Sequence, residues 1–123
     1  MEESILTSIK KLLGIVEDYT QFDTDIIIHI NSAISILTQL GVGSSDGFSI
    51  ADKSETWRDF VGDSSVSILS MSKTFIYMKV RLIFDPPQSS AAIESLKQLI
   101  DEMAFRITVA VETKNKEEAI QNG

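Results

Sequence analysis

Few residues of this chain have the type and spacing that catalysis or metal binding needs. His29 is the single histidine and cysteine is absent, which excludes a histidine cluster and a thiolate metal site. His29 lies beside an apolar helical stripe, so a boundary position is favoured over a role as ligand or base. Asp23 and Asp25 have the Asp-x-Asp spacing of some metal sites, but helix capping explains both. We therefore expect no metal and no cofactor.

The remaining polar candidates lie between residues 41 and 63. Four of the acidic residues there lack the spacing of a calcium-binding loop, which favours solvated charge: Asp52, Glu55, Asp59 and Asp63. Three glycines resemble a phosphate-binding loop, but no Gly-Lys-Ser/Thr follows them and no strand precedes them: Gly41, Gly43 and Gly47. Ser44 and Ser45 belong to no nucleophile elbow. The sequence therefore predicts that the protein is not an enzyme.

The elements that must position these residues are helices, because apolar residues recur at helical spacing through most of the chain. The longest such stretch runs from Ser64 to Asp85, and Pro86-Pro87 closes it because proline cannot continue a helix. Its apolar residues form two adjacent stripes, a wider arc than a surface helix carries. We expect this helix to have neighbours on two sides and to be the centre of the fold.

Three further helices are predicted around the central one. Residues 3–14 form a short amphipathic helix, and a long helix follows from Asp23, its N-cap, to a stop at Gly41. Residues 90–112 form the last helix. The predicted fold class is all-α, a small bundle of three long helices plus a short N-terminal helix.

A long loop separates the second long helix from the third. Residues 41–63 are turn-rich, with one or two helical turns capped by Ser54. A loop of this length in a compact domain is usually functional or disordered. Its lone tryptophan, Trp57, has two interpretations: a lid folded back onto the bundle, or an anchor in a protein interface, where tryptophan is enriched among hot spots.

The length of 123 residues fits one domain. We predict a helical domain over residues 1–112 and a flexible C-terminal tail over residues 113–123, because the tail is polar and charged. The acidic N-terminus is unlike a signal peptide, and no stretch approaches the ~20 apolar residues of a membrane span. The expectation is a soluble protein without a membrane partner.

Charge bears on the partners of the chain. Eighteen acidic residues against eleven basic ones give a net charge of −7. Tight nucleic-acid binding needs clustered Lys and Arg, so this balance argues against DNA or RNA as a held ligand.

Four stretches of the sequence, taken together, have the order and the local sequence of a known family. They are ILTSIKKLLGI, FDTDIIIHINSAISILTQLGVG, TWRDF and TFIYMKVRLIFDPP, the last followed by a final helix. The chain resembles the small head–tail connector, or adaptor, proteins of long-tailed bacteriophages over nearly its whole length. The TFIYMKVRLIFDPP stretch is the most specific part of the resemblance.

The resemblance implies a structural virion protein made in the bacterial host cytoplasm. Members are helical bundles that form a ring, typically of twelve copies, beneath the portal at the capsid's DNA exit. They extend the DNA channel and present a platform to the next head-completion or tail protein. DNA is expected to pass without sequence-specific binding. Twelve copies at −7 each would carry about −84, which would repel DNA if acid lines the channel.

Three groups of residues are predicted to carry the contacts of such a ring. The basic stripe left over on the central helix is predicted to meet acids on the next subunit: Lys73, Tyr77 and Arg81. The loop is predicted to contact the lumen or the adjoining protein: Phe48, Trp57 and Phe60. The tail is predicted to bind the portal: Lys114, Lys116 and Ile120.

The competing interpretation is a small monomeric or dimeric helical module that binds or regulates another protein. Such a module would use Trp57 and the loop on its ligand and would form no ring. Stoichiometry separates the two, because a ring former assembles in many copies whereas a regulator saturates at one or two.

Overall fold

The computed structural model describes residues 3–122 as five helices joined by loops: α1 (Ile5–Leu12), α2 (Asp23–Gln39), α3 (Trp57–Val61), α4 (Val66–Phe84) and α5 (Ser90–Asn122). Within these residues the β-type pairing is confined to an isolated antiparallel bridge between Ser4 and Thr56. The predicted all-α class is confirmed. None of the described helices is long and apolar enough to cross a membrane.

Helix α4 is the centre of the bundle. α2 and α5 pack along it, and α1 packs against both α2 and α4. Both apolar stripes of α4 are used, because each contributes buried residues, among them Phe75 and Val80. Ser65 Oγ accepts a hydrogen bond from the Ile68 N–H at 3.1 Å, so a serine caps the start of this helix. α4 ends at Phe84, immediately before the residue that precedes the two prolines.

The start of α2 differs from the prediction. Asp23 is the first residue of the helix, and Phe22 occupies the N-cap position without a side-chain hydrogen bond, so the assignment of Asp23 as N-cap was wrong. The physical reason is a competing partner, because the Asp23 carboxylate lies 2.9 Å from Lys10 Nζ. The predicted stop at Gly41 is confirmed: Leu40 is the C-cap, and Gly41 follows with φ +100°, which favours glycine.

The long loop contributes to the core. Val42 and Ile50 are buried in it, and α3 follows near its end. Thr56 Oγ1 accepts from the Asp59 N–H at 3.1 Å, and Asp59 Oδ2 accepts from the Thr56 N–H at 2.9 Å, which forms a capping box. The prediction of Ser54 as the cap was therefore wrong. The Ser54 N–H is instead engaged in a local turn with Asp52.

Helix α5 is longer than predicted. It continues through Asn122, so the predicted end at residue 112 was wrong. No proline or glycine interrupts residues 113–122, and Lys114 and Glu118 pair at 3.9 Å across one helical turn. At about 1.5 Å per residue α5 spans roughly 50 Å and α4 roughly 28 Å, so α5 extends past the bundle. We call residues 112–121 the α5 arm; the division into a domain and a flexible tail stays a prediction.

Candidate functional site

The residues first considered for chemistry occupy structural positions. In the part of the chain that the structure describes, no three His, Cys, Asp or Glu residues are grouped so that they could hold a metal ion. His29 is half-buried on α2. Asp52 is exposed, and hydrogen bonds from the side chain and the backbone of Ser54 lower its pKa below the ordinary value. Asp52 therefore shapes a turn of the loop. The candidate functional sites considered below are surfaces.

Trp57 is packed against the bundle. Its side chain is only 3% exposed, and its indole Nε1–H donates to Ser8 Oγ on α1 at 3.0 Å. Lys73 Nζ lies 5.4 Å from the centre of the indole, within cation–π range. The sequence left two arrangements open for Trp57. The structure shows the one in which its side chain is folded back onto the bundle as a lid.

The other two aromatic residues of the loop also face inward. Phe60 is buried, and Phe48 is half-buried and stacked on it with ring centres 5.4 Å apart. Together with Trp57 they belong to the interior of the subunit. The loop as a contact with the lumen or the adjoining protein stays a prediction, and the side chains open to such a contact are polar.

The loop is attached to the bundle at two places. The Asn31 side chain donates to the Ile50 carbonyl at 2.9 Å and accepts from the Ile50 N–H at 2.7 Å. Near α3, the Ile5 N–H donates to the Glu55 carbonyl at 3.0 Å, which pairs this part of the loop with the start of α1. Four exposed carboxylates lie on the outside of the loop: Asp46, Asp52, Asp59 and Asp63.

Lys73 and Arg81, the two cations of the predicted basic stripe on α4, differ in their partners. Lys73 Nζ lies 2.8 Å from Glu3 Oε1, and this hydrogen bond lowers the pKa of the Glu3 carboxyl below its ordinary 4.5. Lys73 therefore has its partner inside the subunit, which the sequence did not predict. Arg81 Nη1 makes a long hydrogen bond of 3.5 Å to the Tyr77 hydroxyl, and no described carboxylate lies within ion-pair distance of its guanidinium. Arg81 is the member of the stripe whose charge is open to another molecule.

Arg81 lines a surface groove between the end of α1 and the last turns of α4. The groove has a volume of about 280 Å³, and we call it the Arg81 groove. Its lining residues are Leu12, Leu13, Gly14, Tyr77, Arg81 and Asp85. Leu12 is 54% exposed although it is a large apolar residue. The groove therefore combines an exposed aliphatic side chain with a cation.

The outer face of α5 is a second exposed apolar surface. Phe105 is 69% exposed, and Leu99 and Val109 are about half exposed. The structure turns Leu99 and Phe105 to solvent. Because Ile100 and Ile107 already face the core, residues two positions from Ile107 point to the opposite side.

The tail residues extend from the bundle on the α5 arm. Lys114 is half-buried and pairs with Glu118, whereas Lys116 is exposed and Ile120 is 79% exposed.

An aromatic cluster lies at the start of α2. It consists of the rings of Tyr19, Phe22 and Phe84, with centre distances of 5.5 Å from Tyr19 to Phe22 and 5.3 Å from Phe22 to Phe84. Tyr19 and Phe22 in this cluster are exposed.

Comparison with protein families identifies a match over most of the chain. A family described as phage connector protein matches residues 5–114. The match begins at the first residue of α1 and includes α2, α3, α4 and α5 as far as the start of the arm. Searches of curated proteins and of solved structures found no match.

Proposed function

The chain belongs to the phage connector protein family, which consists of structural phage proteins, and from this premise we propose that it forms a ring beneath the portal. The ring joins the capsid to the tail and extends the DNA channel at the head–tail junction. The observation that carries the proposal is the extent of the family match, since residues 5–114 include the whole helical core.

Three kinds of protein contact follow from this role. Copies of the chain contact each other around the ring, twelve being the number expected in the virion. The portal binds on one side, and the next head-completion or tail protein binds on the other. The exposed surfaces described above supply candidates for each contact.

The α5 arm is the proposed portal-binding element. It extends beyond the core, carries Lys116 and Ile120 on its surface, and is already helical. A preformed helix loses less conformational entropy on binding than a disordered tail does. The arm leaves the bundle where Val111 packs beside Gly41 at the end of α2. The aromatic cluster lies at the start of α2, so we assign the partner on the tail side to it.

DNA is proposed to pass the ring without being held. The exposed carboxylates on the outside of the loop, Asp46, Asp52, Asp59 and Asp63, would repel phosphate if that surface faces the lumen. A map of the assembled ring with a basic or neutral lumen would contradict this placement. Residues 41–63 carry five acids and two bases, so the loop is the most acidic connection in the chain.

The mass of the purified protein tests the ring directly. Light scattering is measured on the protein alone and after mixing with the portal from the same phage. We expect a species of about twelve copies, or about twelve copies bound per portal ring, the number implied by the ring proposal. A monomer or dimer that also fails to bind the portal would contradict the proposal and favour the regulatory module. A monomer that assembles only on the portal supports it.

A further inference from the structure

Exposed apolar side chains are concentrated at the end of the bundle where α1 joins α2 and where α4 ends. We call residues 13–22, between α1 and α2, the α1–α2 connector. Five of the eleven exposed large apolar residues of the described chain lie in the connector, next to it or in the last turn of α4: Leu12, Val16, Tyr19, Phe22 and Ile83. The ring of Phe22 contacts the ring of Phe84, so the connector and the end of α4 share one surface. Exposed apolar patches of this kind mark sites of interaction.

The α1–α2 connector is fixed to the bundle by a buried cation, although it consists of turns. Lys10 on α1 donates from its ammonium to the carbonyl oxygens of Glu17 and Tyr19, at 3.0 Å and 2.7 Å. The Asp23 carboxylate at the start of α2 lies 2.9 Å from the same ammonium. A buried ion pair adds little net stability over an apolar pair, because both charges lose their hydration. The arrangement instead fixes the shape of the connector, and a preformed surface loses less conformational entropy on binding.

The charge at this end of the bundle indicates the chemistry of a partner. The connector and the first turn of α2 contain four acidic residues and no basic one. Asp23 is paired with Lys10. The other three are exposed and have no ion pair within the described part of the chain, and we call them the connector acids: Glu17, Asp18 and Asp25. Lys11 is an exposed cation at their border, and Arg81 offsets Asp85 at the end of α4, so acid predominates.

We propose that the α1–α2 connector is a preformed docking surface for a segment of the tail-side protein that carries apolar and basic side chains. The proposal rests on the proposed function, which places a tail-side partner at the aromatic cluster, and it adds the docking element and the chemistry of the partner segment. Apolar side chains of that segment cover Val16, Tyr19 and Phe22, and its Lys or Arg side chains face the connector acids. Lys10 is a positioning residue, because it is buried and acts through the backbone of the connector.

The charge of the surface favours a different protein over a second copy of this chain as the occupant. A second copy carries a net charge of −7, so it presents mainly like charge to the connector acids. The portal is assigned to the α5 arm, which leaves the bundle near the other end of α2. The tail-side protein is therefore the partner that remains for this end.

Binding of the tail-side protein tests the docking surface. The probe is the purified protein that joins the phage head directly after this chain, and its affinity is measured by surface plasmon resonance on immobilised complexes of the portal with this chain. Val16→Ser should raise the dissociation constant about tenfold, because an exposed apolar contact is lost. Val66→Ser is the matched control, since Val66 is 82% exposed at the opposite end of α4 and Val16 is 70% exposed. Equal dissociation constants for the two variants, or no binding to the wild-type complex, would overturn the proposal.

Charge exchange tests the chemistry of the partner segment. Asp18→Lys should raise the dissociation constant about tenfold and reduce its dependence on salt, because an attraction becomes a repulsion. Asp101→Lys is the same change at an exposed acid of α5 and should leave the affinity close to that of the wild type. Tighter binding by Asp18→Lys would show an acidic partner segment and contradict the proposal. Loss of ring assembly on the portal in Val16→Ser or Asp18→Lys would show that a second copy occupies the surface.

The positioning role of Lys10 has its own readout. Lys10→Met should slow association with the tail-side protein, because the connector must first be ordered. Ile107→Ala is the control, since it truncates a core residue of α5 and also destabilises the fold. At a temperature where both variants are folded, Ile107→Ala should bind as the wild type does. An unchanged association rate for Lys10→Met would show that Lys10 supports stability alone.

The outcomes for the docking surface and for the connector role are separable. If portal complexes form but Val16→Ser and Asp18→Lys bind the tail-side protein like the wild type, the docking surface is wrong and the connector role stands. If the chain does not bind the portal, the connector role fails. Binding of the tail-side protein to the free chain, weakened by Val16→Ser, would in that case still support the docking surface.

Discussion

Lys10 is the residue whose position is least expected from its type. Its side chain is 3% exposed, and the ammonium donates to the Glu17 carbonyl at 3.0 Å and the Tyr19 carbonyl at 2.7 Å. The Asp23 carboxylate lies 2.9 Å away on the same ammonium. One cation therefore binds α1, the connection that follows it and the start of α2. A buried lysine is tolerated because its ammonium donates to two carbonyl oxygens and lies within ion-pair distance of a carboxylate.

We predict that Lys10→Met destabilises the fold. The substitution keeps the length of the side chain but leaves Asp23 without its ion-pair partner and two carbonyl oxygens without their donor. We expect the free energy of unfolding in urea to fall by about 2–4 kcal/mol. Lys11→Met is the matched control, since Lys11 is exposed and its change should stay within about 0.5 kcal/mol. Equal effects of the two substitutions would show that the buried ion pair contributes nothing.

The loop of residues 41–63 acts as a structural element although most of it has no regular secondary structure. Trp57, Phe60 and Ile50 place it in the core, and Asn31 holds its middle. Its backbone passes close to α3 at Gly43, which has φ +76°. A Cβ atom at Gly43 would lie 2.7 Å from the Phe60 carbonyl oxygen. Glycine is required there by both the conformation and the space.

Two glycine substitutions in this loop separate strain from steric overlap. Gly43→Ala meets a positive φ and the Phe60 carbonyl, whereas Gly47→Ala meets a positive φ of +94° with no atom within 4 Å. We expect Gly47→Ala to cost about 1–2 kcal/mol from conformation alone. Gly43→Ala should cost at least about 1 kcal/mol more, because backbone atoms must move. Thermal or urea unfolding of the two variants measures the difference. Equal losses would mean that the loop moves away from α3 at no cost.

The whole molecule has two unlike ends. The α5 arm extends from one end, and the aromatic cluster of Tyr19, Phe22 and Phe84 occupies the other. A subunit with distinct ends suits a position between two different partners. No residue of the α5 arm is fully buried, so the arm contributes little to the hydrophobic core.

Removal of the arm separates stability from partner binding. A chain ending at Glu112 should unfold within about 1 kcal/mol of the full chain, because the removed residues bury little. Its binding to the portal ring, measured by co-sedimentation, should be lost if the arm is the portal-binding element. Ile120→Ser in the full chain should weaken binding in the same direction, because Ile120 is the exposed apolar residue of the arm. Unchanged portal binding after truncation would contradict the assignment.

Prediction from the sequence succeeded where the signal is local. The helical spacing of apolar residues identifies α2, α4 and α5, and the two prolines follow the end of α4 as expected. It failed where two local partners compete. Asp23 could cap α2 or pair with Lys10, and the outcome depends on a contact between segments distant in sequence. Ser54 or Thr56 could cap α3, and Thr56 does so because Asp59 completes the capping box.

The sequence by itself determined the all-α class, the central helix and the family. Helical periodicity, proline stops and characteristic stretches can each be recognised within a short segment of the chain. Only the tertiary structure decided which polar and aromatic residues are open to a partner. Trp57 and Lys73 were candidates for contact and are engaged inside the subunit, while Phe105 on α5 is exposed. The reason is that burial depends on which helix faces are covered by neighbours, and that is settled by the packing of the whole bundle.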